Sequence, residues 1–390
     1  MVLELQPNLE SVLISVNKHI NIDNARQRYA NHFEVLKHII FKKLREFQPF
    51  GSLFNGYQMG GSYGDNLKVT LPDEFDLVFH IAFPEYKLIN VVEDHHLPGN
   101  VHLDFTKVLK KIRNEKQHAV AYKRLIEWLN DQNFLIVEKM QAYFQSCFTR
   151  VMIEMQWSLD SVALSYRRCG PAHTIDVNEE GFYYSVDFVP GILLEQSQSI
   201  VPRHVGQWEA IPKPICGAIR STSFRSSFYR QEQALINDKY NLKNALRMMK
   251  KFRDKNSNLS NMKSYFIKTL FLWKAKEEHQ SYWRQPLSKI IVDMFRSLET
   301  SLKMKKLLFF WDQRLNMYDR YTHIQLSEML GCVANSRKLL ERAALSMDIF
   351  IQKKVYALFL DRNERGIPGT EPETTYCIPP EKNEARCTIL

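Results

Sequence analysis

The apolar residues of this chain change their spacing along its length, and that change limits the folds open to it. Over residues 8–47 they fall mostly at three- and four-residue steps (Leu9, Val12, Val16, Ile20, then Phe33, Leu36, Ile39, Ile40 and Leu44), the mark of amphipathic helix. The second part of this stretch is predicted as one long helix ending near Gln48-Pro49, because a proline disfavours helix in the residue before it. From 52 to 83 the period becomes two, which predicts two or three strands. Helical spacing returns over 103–118 and 120–147, and strand patterns follow at 149–157, 161–167 and 182–189. Residues 190–224, punctuated by Pro190, Pro202, Pro212 and Pro214, read as irregular. From 228 to about 361 the pattern is helical, in segments 228–237, 241–254, 260–277, 287–302, 304–316 and 323–360. The expected fold is α+β and two-lobed: a mixed-sheet lobe with a long N-terminal helix over 1–205, then a helical lobe over 206–361, with a cleft between them. Residues 362–390 are polar and proline-bearing and are expected to be disordered.

Within the first strand region, residues 60–76 read Gly-Gly-Ser-Tyr-Gly-Asp-Asn-Leu-Lys-Val-Thr-Leu-Pro-Asp-Glu-Phe-Asp. Alternate residues of a strand share a face, so Glu74 and Asp76 point one way while Phe75 and Leu77 point the other. Taken alone, such a triplet is usually the solvated edge of a half-buried strand. Two further features argue for chemistry. A Gly-Ser turn about a dozen residues upstream has side chains small enough for phosphates to approach, and a third acid, Asp187, lies in another strand-like run, Tyr184–Pro190. Three carboxylates from two strands beside such a turn suit a divalent cation held jointly by protein and nucleotide phosphates. That constellation points to nucleotidyl transfer.

The formal charge of +10 and pI near 9.1 favour polyanionic partners. The basic residues are clustered: Lys37, Lys42, Lys43 and Arg45 lie on one predicted helix, and Lys107, Lys110, Lys111 and Arg113 on another, a plausible footprint for a nucleic-acid backbone. The six cysteines form no C-x-x-C pair and no zinc-type cluster. No secretory signal opens the chain, and its longest apolar runs are too short for a bilayer. These features predict a reduced, intracellular, soluble protein.

The motif around Glu74 resembles that of the cyclic GMP-AMP synthase-like receptors, within the male-abnormal-type nucleotidyltransferases. Gly61-Ser62, Asp73-Glu74-Phe75-Asp76 and Val186-Asp187 stand where that family carries catalysis. The resemblance implies that Glu74, Asp76 and Asp187 hold two Mg²⁺ or Mn²⁺ ions and that Ser62 contacts a triphosphate. It continues into the helical region. Arg225-Ser226-Ser227-Phe228, with Glu232 following, resembles a segment whose Arg and Ser read the acceptor base and whose Glu contacts nucleotide. Met248-Met249-Lys250 resembles a phosphate-contacting Leu-Met-Lys element. Ser264-Tyr265-Phe266-Ile267-Lys268-Thr269 matches a signature in which Ser and Lys approach phosphates and Tyr stacks on a purine. Read singly, Lys250 and Lys268 are ordinary helix charges and Tyr265 a core residue; their order and company favour the site.

One departure bears on the activator. The vertebrate DNA sensor of this family carries a His/Cys zinc insertion after the Arg-x-Ser-Phe helix, whereas Ile236–Asn241 here is short and lacks both residue types. No zinc is expected. Relatives without the insertion include invertebrate sensors of double-stranded RNA, so the resemblance implies a duplex-RNA activator read by shape through basic helices, with an oligomer forming on the RNA. ATP and GTP are the implied substrates and a cyclic dinucleotide of the cyclic GMP-AMP type the implied product. The alternatives are an RNA-activated synthase of linear oligonucleotides and a non-catalytic adaptor of the same fold. The last four residues, Cys387-Thr388-Ile389-Leu390, fit a C-a-a-X box, which makes Cys387 a candidate for geranylgeranylation. The segment before it is not polybasic, so the expected location is cytoplasmic with, at most, reversible membrane association through one lipid.

Overall fold

The structure, a computed structural model, describes residues 8–21, 23–69, 73–156, 163–179, 182–201, 206–214 and 221–361. Its helices, in chain order, are α1 (Leu9–His19), α2 (Asp23–Leu44), α3 (Phe50–Leu53), α4 (Gly61–Gly64), α5 (Thr106–Ile112), α6 (Ala119–Trp128), α7 (Val137–Gln156), α8 (Tyr229–Ile236), α9 (Leu242–Lys255), α10 (Ser264–Glu277), α11 (Leu287–Lys303), α12 (His323–Ala344) and α13 (Ile349–Phe359). Its strands are β1 (Phe54–Gly60), β2 (Glu74–Ile81), β3 (Asn90–Glu93), β4 (Asn100–Asp104), β5 (Ala163–Cys169), β6 (Ala172–Glu179), β7 (Phe182–Leu194), β8 (Trp208–Ile211) and β9 (Ser223–Ser227). This is the α+β class that the sequence predicts. The described residues divide into a sheet unit (23–66 and 73–233) and a helical unit (8–21, 67–69 and 234–361).

In the sheet unit a nine-stranded mixed sheet runs in the order β1-β2-β7-β8-β9-β4-β3, with β6 also pairing β7 and β5 pairing β6. β2 and β7 are parallel, and every odd residue of β2 from Phe75 to Ile81 is fully buried. α2 and α7 cover that face. Phe33 stacks on Phe75 with centroids 4.3 Å apart, and Phe144 meets the edge of Phe79 at 5.4 Å. Burying each such side chain contributes about 1.5–3 kcal/mol. α2 has a second hold: His32 Nδ1 lies 2.7 Å from Tyr184 Oη on β7, and its Nε2 2.6 Å from Glu179 Oε2 on β6. Tyr184 packs edge-on against Phe75 at 5.3 Å.

Several expectations are corrected here. Residues 149–156 continue α7 and are not a strand, because Phe144, Phe148, Val151 and Met155 extend one buried helical stripe begun at Met140. Residues 100–104 form β4, so the helix read from 103 begins only at Thr106. The stretch read as irregular holds β8, β9 and the end of β7. Pro190 is tolerated inside β7 because its antiparallel neighbour changes there: pairing with β6 ends at Phe188 and pairing with β8 begins at Ile192. Residues 304–316 are not helical; Lys305 is left-handed (φ 53°) and Leu308 bridges Asn316. The helix read over 323–360 is two, the second capped by Asp348, which accepts from Phe350 N at 2.8 Å. The partition also differs from the sequence boundaries. Residues 206–233 stay with the sheet through β8 and β9, whereas α1 joins the helical unit, where Glu10 caps α11 by accepting from Leu287 N (3.0 Å) and Ser288 N (2.7 Å). The helical unit's core includes Phe252 against Phe295 at 4.8 Å. Residues 362–390, with Cys387, lie outside the described residues.

Behind the sheet, His173 is buried against the Phe148 ring at 4.8 Å. Gln141 Nε2 donates to Pro171 O and Pro212 O, so Gln141 Oε1 accepts from His173 Nε2–H at 2.9 Å, and His173 Nδ1 accepts from Tyr166 Oη–H at 2.8 Å. Burial, and then the charge of Arg168, push its pKa down to about 3. The unfolded chain thus binds a proton here below about pH 6.5 that the folded chain refuses, so this residue makes stability fall as pH drops from 6.5 toward 3, by about 1.4 kcal/mol per pH unit. We expect His173→Gln to flatten the acid limb of stability between pH 6 and 4, while lowering stability at pH 7. Denaturant melts across that range check this, and an unchanged slope would refute it.

Candidate active site

β2 and β7 run in register, Glu74 beside Ser185 and Asp76 beside Asp187. Glu74, Asp76 and Asp187 therefore share a face, and one carboxylate oxygen from each lies within 4.8 Å of the others. Asp76 is 2 % exposed and Asp187 4 %. Thr174 Oγ1, on β6, donates to Asp187 Oδ1 at 2.6 Å and fixes that carboxylate. On the reverse face Phe75 is held by Phe33, by Tyr63 at 4.6 Å and by Tyr184. An all-oxygen, anionic donor set drawn together at low exposure suits a hard divalent cation such as Mg²⁺ or Mn²⁺.

The Gly-Ser turn forms α4, one helical turn that closes on this group. Gly61 has φ +57°, and a Cβ there would stand 1.7 Å from Asp76 Oδ2. Only glycine lets the turn lie against the carboxylate. Ser62, half-buried, follows directly. α8 fastens the turn: Gln233 Nε2 donates to Gly64 O (3.2 Å) and to Tyr229 Oη (2.8 Å), and Arg230 Nε donates to Gln58 Oε1 at 2.6 Å. Tyr229 is a residue that sequence reading missed. Burial, followed by Asp65, Asp76 and Glu232, raises its pKa well above the usual tyrosine range, so it stays a neutral phenol. This places Glu232, itself buried, in the same electrostatic neighbourhood as Asp76.

Arg225 and Ser227 lie on β9. Leu193 pairs with Glu209 and Glu209 with Ser227, so the register carries both residues to the face that bears Asp187. The helical unit holds the other candidates. Lys250 (α9) is buried, and its Nζ donates to Leu67 O at 3.2 Å. Lys268 (α10) is also buried, Ser264 opens α10, and the half-buried Tyr265 ring lies 6.3 Å from Phe309. Arg247 and Lys251, two further buried cations on α9, went unnoticed in the sequence because lysine and arginine there read as solvated.

The four basic candidates, three on α2 and Arg45 just past its end, differ. Lys42 and Arg45 are exposed, the latter 4.7 Å over the Phe54 ring, and Lys43 pairs with Glu154 at 2.9 Å. Lys37 is only 4 % exposed, with its ammonium 2.6 Å from Glu34 and 4.3 Å over the Tyr57 ring. Together with His38 and Phe41 these side chains, Lys43 excepted, line a groove of about 450 Å³.

A mixed sheet that gathers three acids beside a Gly-Ser turn is the working part of a nucleotidyltransferase. Comparison with known families agrees. The profile described as the Mab-21 protein nucleotidyltransferase domain matches residues 63–238, and that of the Mab-21 protein HhH/H2TH-like domain matches 241–335. The cyclic GMP-AMP synthase-like receptor of Lucilia cuprina is 54 % identical over 363 residues, covering 92 % of this chain and 99 % of that protein. Cyclic GMP-AMP synthase-like receptor 2 of Drosophila melanogaster is 42 % identical over 342 residues, covering 82 % and 74 %. Receptor 1 of the same fly is 38 % identical over 339 residues, covering 83 % and 89 %. The chain belongs to the cyclic GMP-AMP synthase-like receptor family of Mab-21 nucleotidyltransferases.

The closeness of the turn to Asp76 makes Gly61→Ala a direct probe. The added methyl must displace the turn or the carboxylate, and L-residues in this conformation are strained by about 1–2 kcal/mol. Displacement of about 1 Å costs roughly 100-fold in rate. We expect transferase activity to fall by about that factor while the melting temperature drops only a few degrees. Activity within about threefold of wild type, measured beside a melt, would show that the turn does not sit on Asp76 during catalysis.

Proposed function

We propose that this protein is an innate immune sensor that, on binding double-stranded RNA, joins ATP and GTP into a cyclic dinucleotide of the cyclic GMP-AMP type. The observation that carries the reading is the convergence of Glu74, Asp76 and Asp187 within 4.8 Å beside the Gly61–Gly64 turn, in a chain whose relatives bear the name cyclic GMP-AMP synthase-like receptor. A scaffold has no use for three like charges held together, because each raises the cost of ionising the others unless a cation is present. That argues against an adaptor.

Two Mg²⁺ or Mn²⁺ ions between these oxygens and the triphosphate would supply charge neutralisation. The chain's own groups do the rest. Ser62 and the backbone of its turn would hold the donor triphosphate, Ser264 would hydrogen-bond phosphate oxygens, and Lys250 and Lys268 would balance phosphate charge. Tyr265 would stack on a purine. Arg225 and Ser227 would read the acceptor base, with Glu232 contacting nucleotide, and Asp187 would assist loss of the proton from the attacking ribose hydroxyl. Most of the acceleration would come from positioning and electrostatics, as in phosphoryl transfer generally. Transfer twice, with rebinding of the linear intermediate, closes the ring. Duplex RNA would lie along the outer face of α2, on Lys42, Lys43 and Arg45. Lys37 is less accessible and would act chiefly by bracing Tyr57 and Glu34. RNA binding would favour the ordered, active state of the turn around Ser62.

Purified protein given ATP, GTP and Mn²⁺ should release a cyclic dinucleotide with duplex RNA and not with duplex DNA, and Asp187→Asn should abolish it. Mass spectrometry with nuclease digestion reads the outcome. A linear oligonucleotide would support the linear-product synthase instead, and no product under any nucleic acid would defeat both. For activation, Lys42→Glu with Arg45→Glu should raise the RNA concentration for half-maximal activity at least about tenfold and reduce the salt dependence by about one unit of slope per charge lost. An unchanged titration would remove α2 from the RNA surface.

A further inference from the structure

The turn that joins β3 to β4 is built around one buried anion. Asp94 is 4 % exposed. Its Oδ1 accepts from the backbone N–H of His96 (2.9 Å) and of Leu97 (3.1 Å), an Asx-type arrangement that shapes the turn from within. Its Oδ2 accepts from Ser223 Oγ–H at 2.5 Å, and His102 Nε2 lies 3.7 Å away. Asn100 Nδ2 donates to the same Ser223 oxygen at 2.8 Å. Burial would raise the Asp94 pKa, but the bonds from Ser223, His96 and Leu97 and the nearby His102 outweigh it and hold the carboxyl below its ordinary value. Asp94 is thus a lasting charge inside the sheet unit, and none of the roles assigned above uses it.

The output of this turn goes to β9. Pro98 O accepts from Arg225 Nη1 at 3.1 Å, and Gly99 O accepts from Ser226 N at 3.0 Å. Asn100 stands opposite Arg225 in the β4–β9 ladder. One oxygen of Asp94 therefore sets the backbone that presents the Pro98 carbonyl, and the other, through Ser223, ties that backbone to the strand carrying Arg225 two residues on. A buried aspartate that only stabilised a turn would need the first set of bonds. The second set, with a carbonyl spent on a guanidinium, links the turn to one side chain. An arginine reads a base by the plane and direction of its fork, so a fixed carbonyl on one nitrogen narrows what the rest can meet.

We propose that Asp94 is a positioning residue for Arg225, setting through the Pro98 carbonyl the orientation in which the guanidinium meets the base of the acceptor nucleotide. The inference rests on the reading of Arg225 as the base-reading group. It deepens that reading by extending acceptor selection to a carboxylate that contacts no substrate.

The test compares Asp94→Asn, Ser223→Ala, Arg225→Ala and the Asp94→Asn/Arg225→Ala pair in the full chain. Asp94→Asn keeps an oxygen for the two backbone N–H groups but offers an amide where Ser223 needs an acceptor. Ser223→Ala cuts the same link from the other side by removing one oxygen, and it serves alone if the Asp94 variant does not fold. Three quantities are read: acceptor KM against kcat at saturating donor, base composition of product from equal ATP and GTP, and acceptor affinity by calorimetry. Loss of one hydrogen bond to a charged group predicts an acceptor KM raised about tenfold, with kcat within about twofold. Product composition should shift in the direction Arg225→Ala shifts it, and the pair should be no worse than Arg225→Ala alone. Lower kcat with unchanged KM and composition, or effects that add to those of Arg225→Ala, would overturn the inference and leave Asp94 a fold residue. If Arg225→Ala itself moves neither KM, composition nor affinity, the base-reading role fails and the positioning role fails with it. Calorimetry keeps these outcomes distinct from a failure of the synthase reading, since it needs no turnover.

Discussion

The parallel register of β2 with β7 is the constraint on which the rest of the sheet unit depends. Setting Asp76 beside Asp187 brings two carboxylates together at low exposure, with Glu74 adding a third within 4.8 Å. At separations of 4.8 Å or less, each pair of ionised carboxylates repels by at least about 3.5 kcal/mol at an effective dielectric near 20 unless a cation is bound. The opposing term lies on the other side of the same strand, where Phe75, Leu77, Phe79 and Ile81 are fully buried and the Phe33 ring lies flat on Phe75. The alternation of a strand is what makes this possible: one face is strained for chemistry because the other is packed without reserve.

Much of this was legible in the sequence, and the reasons are local. Glu74-Phe75-Asp76-Leu77 alternates acid with apolar residue at the start of the strand, so the shared face of its two acids follows from strand geometry alone. Asp187 showed itself by a similar run, but its register against Asp76 could not be read, because nothing in either strand encodes the offset. β8 and β9 were missed because they are short and nearly continuously buried, and therefore carry no period-two signal; β8 also runs straight into Pro212. The end of α7 was misread because a nine-residue window shows too little of a stripe that began at Met140. Tyr229 sat inside a recognised motif without being singled out, since its meaning comes from Gly64, Asp65 and Asp76, which are far from it in sequence. Lys37 looked like its neighbours on the helix until its ring contacts were visible.

The helical unit shows the same limit from the other side. Its fold class followed from spacing, and Lys250 and Lys268 followed from their motifs, yet their burial did not, nor did that of Arg247 and Lys251. Ammonium and guanidinium groups at such low exposure are sustained by close anionic or carbonyl partners, and one is on view where Lys250 meets the Leu67 carbonyl. A stretch of α9 that would pass for a solvated surface is instead part of the interior chemistry of its unit.

The hold of α2 on the sheet has a mechanical corollary. Phe33 grips β2 at Phe75, His32 grips β7 at Tyr184 and β6 at Glu179, and Phe75 and Tyr184 touch each other. The helix thus works as a splint across the two strands that carry the acids. Displacing the helix would therefore mean breaking, or carrying along, contacts made on the reverse face of the strands that hold Glu74, Asp76 and Asp187.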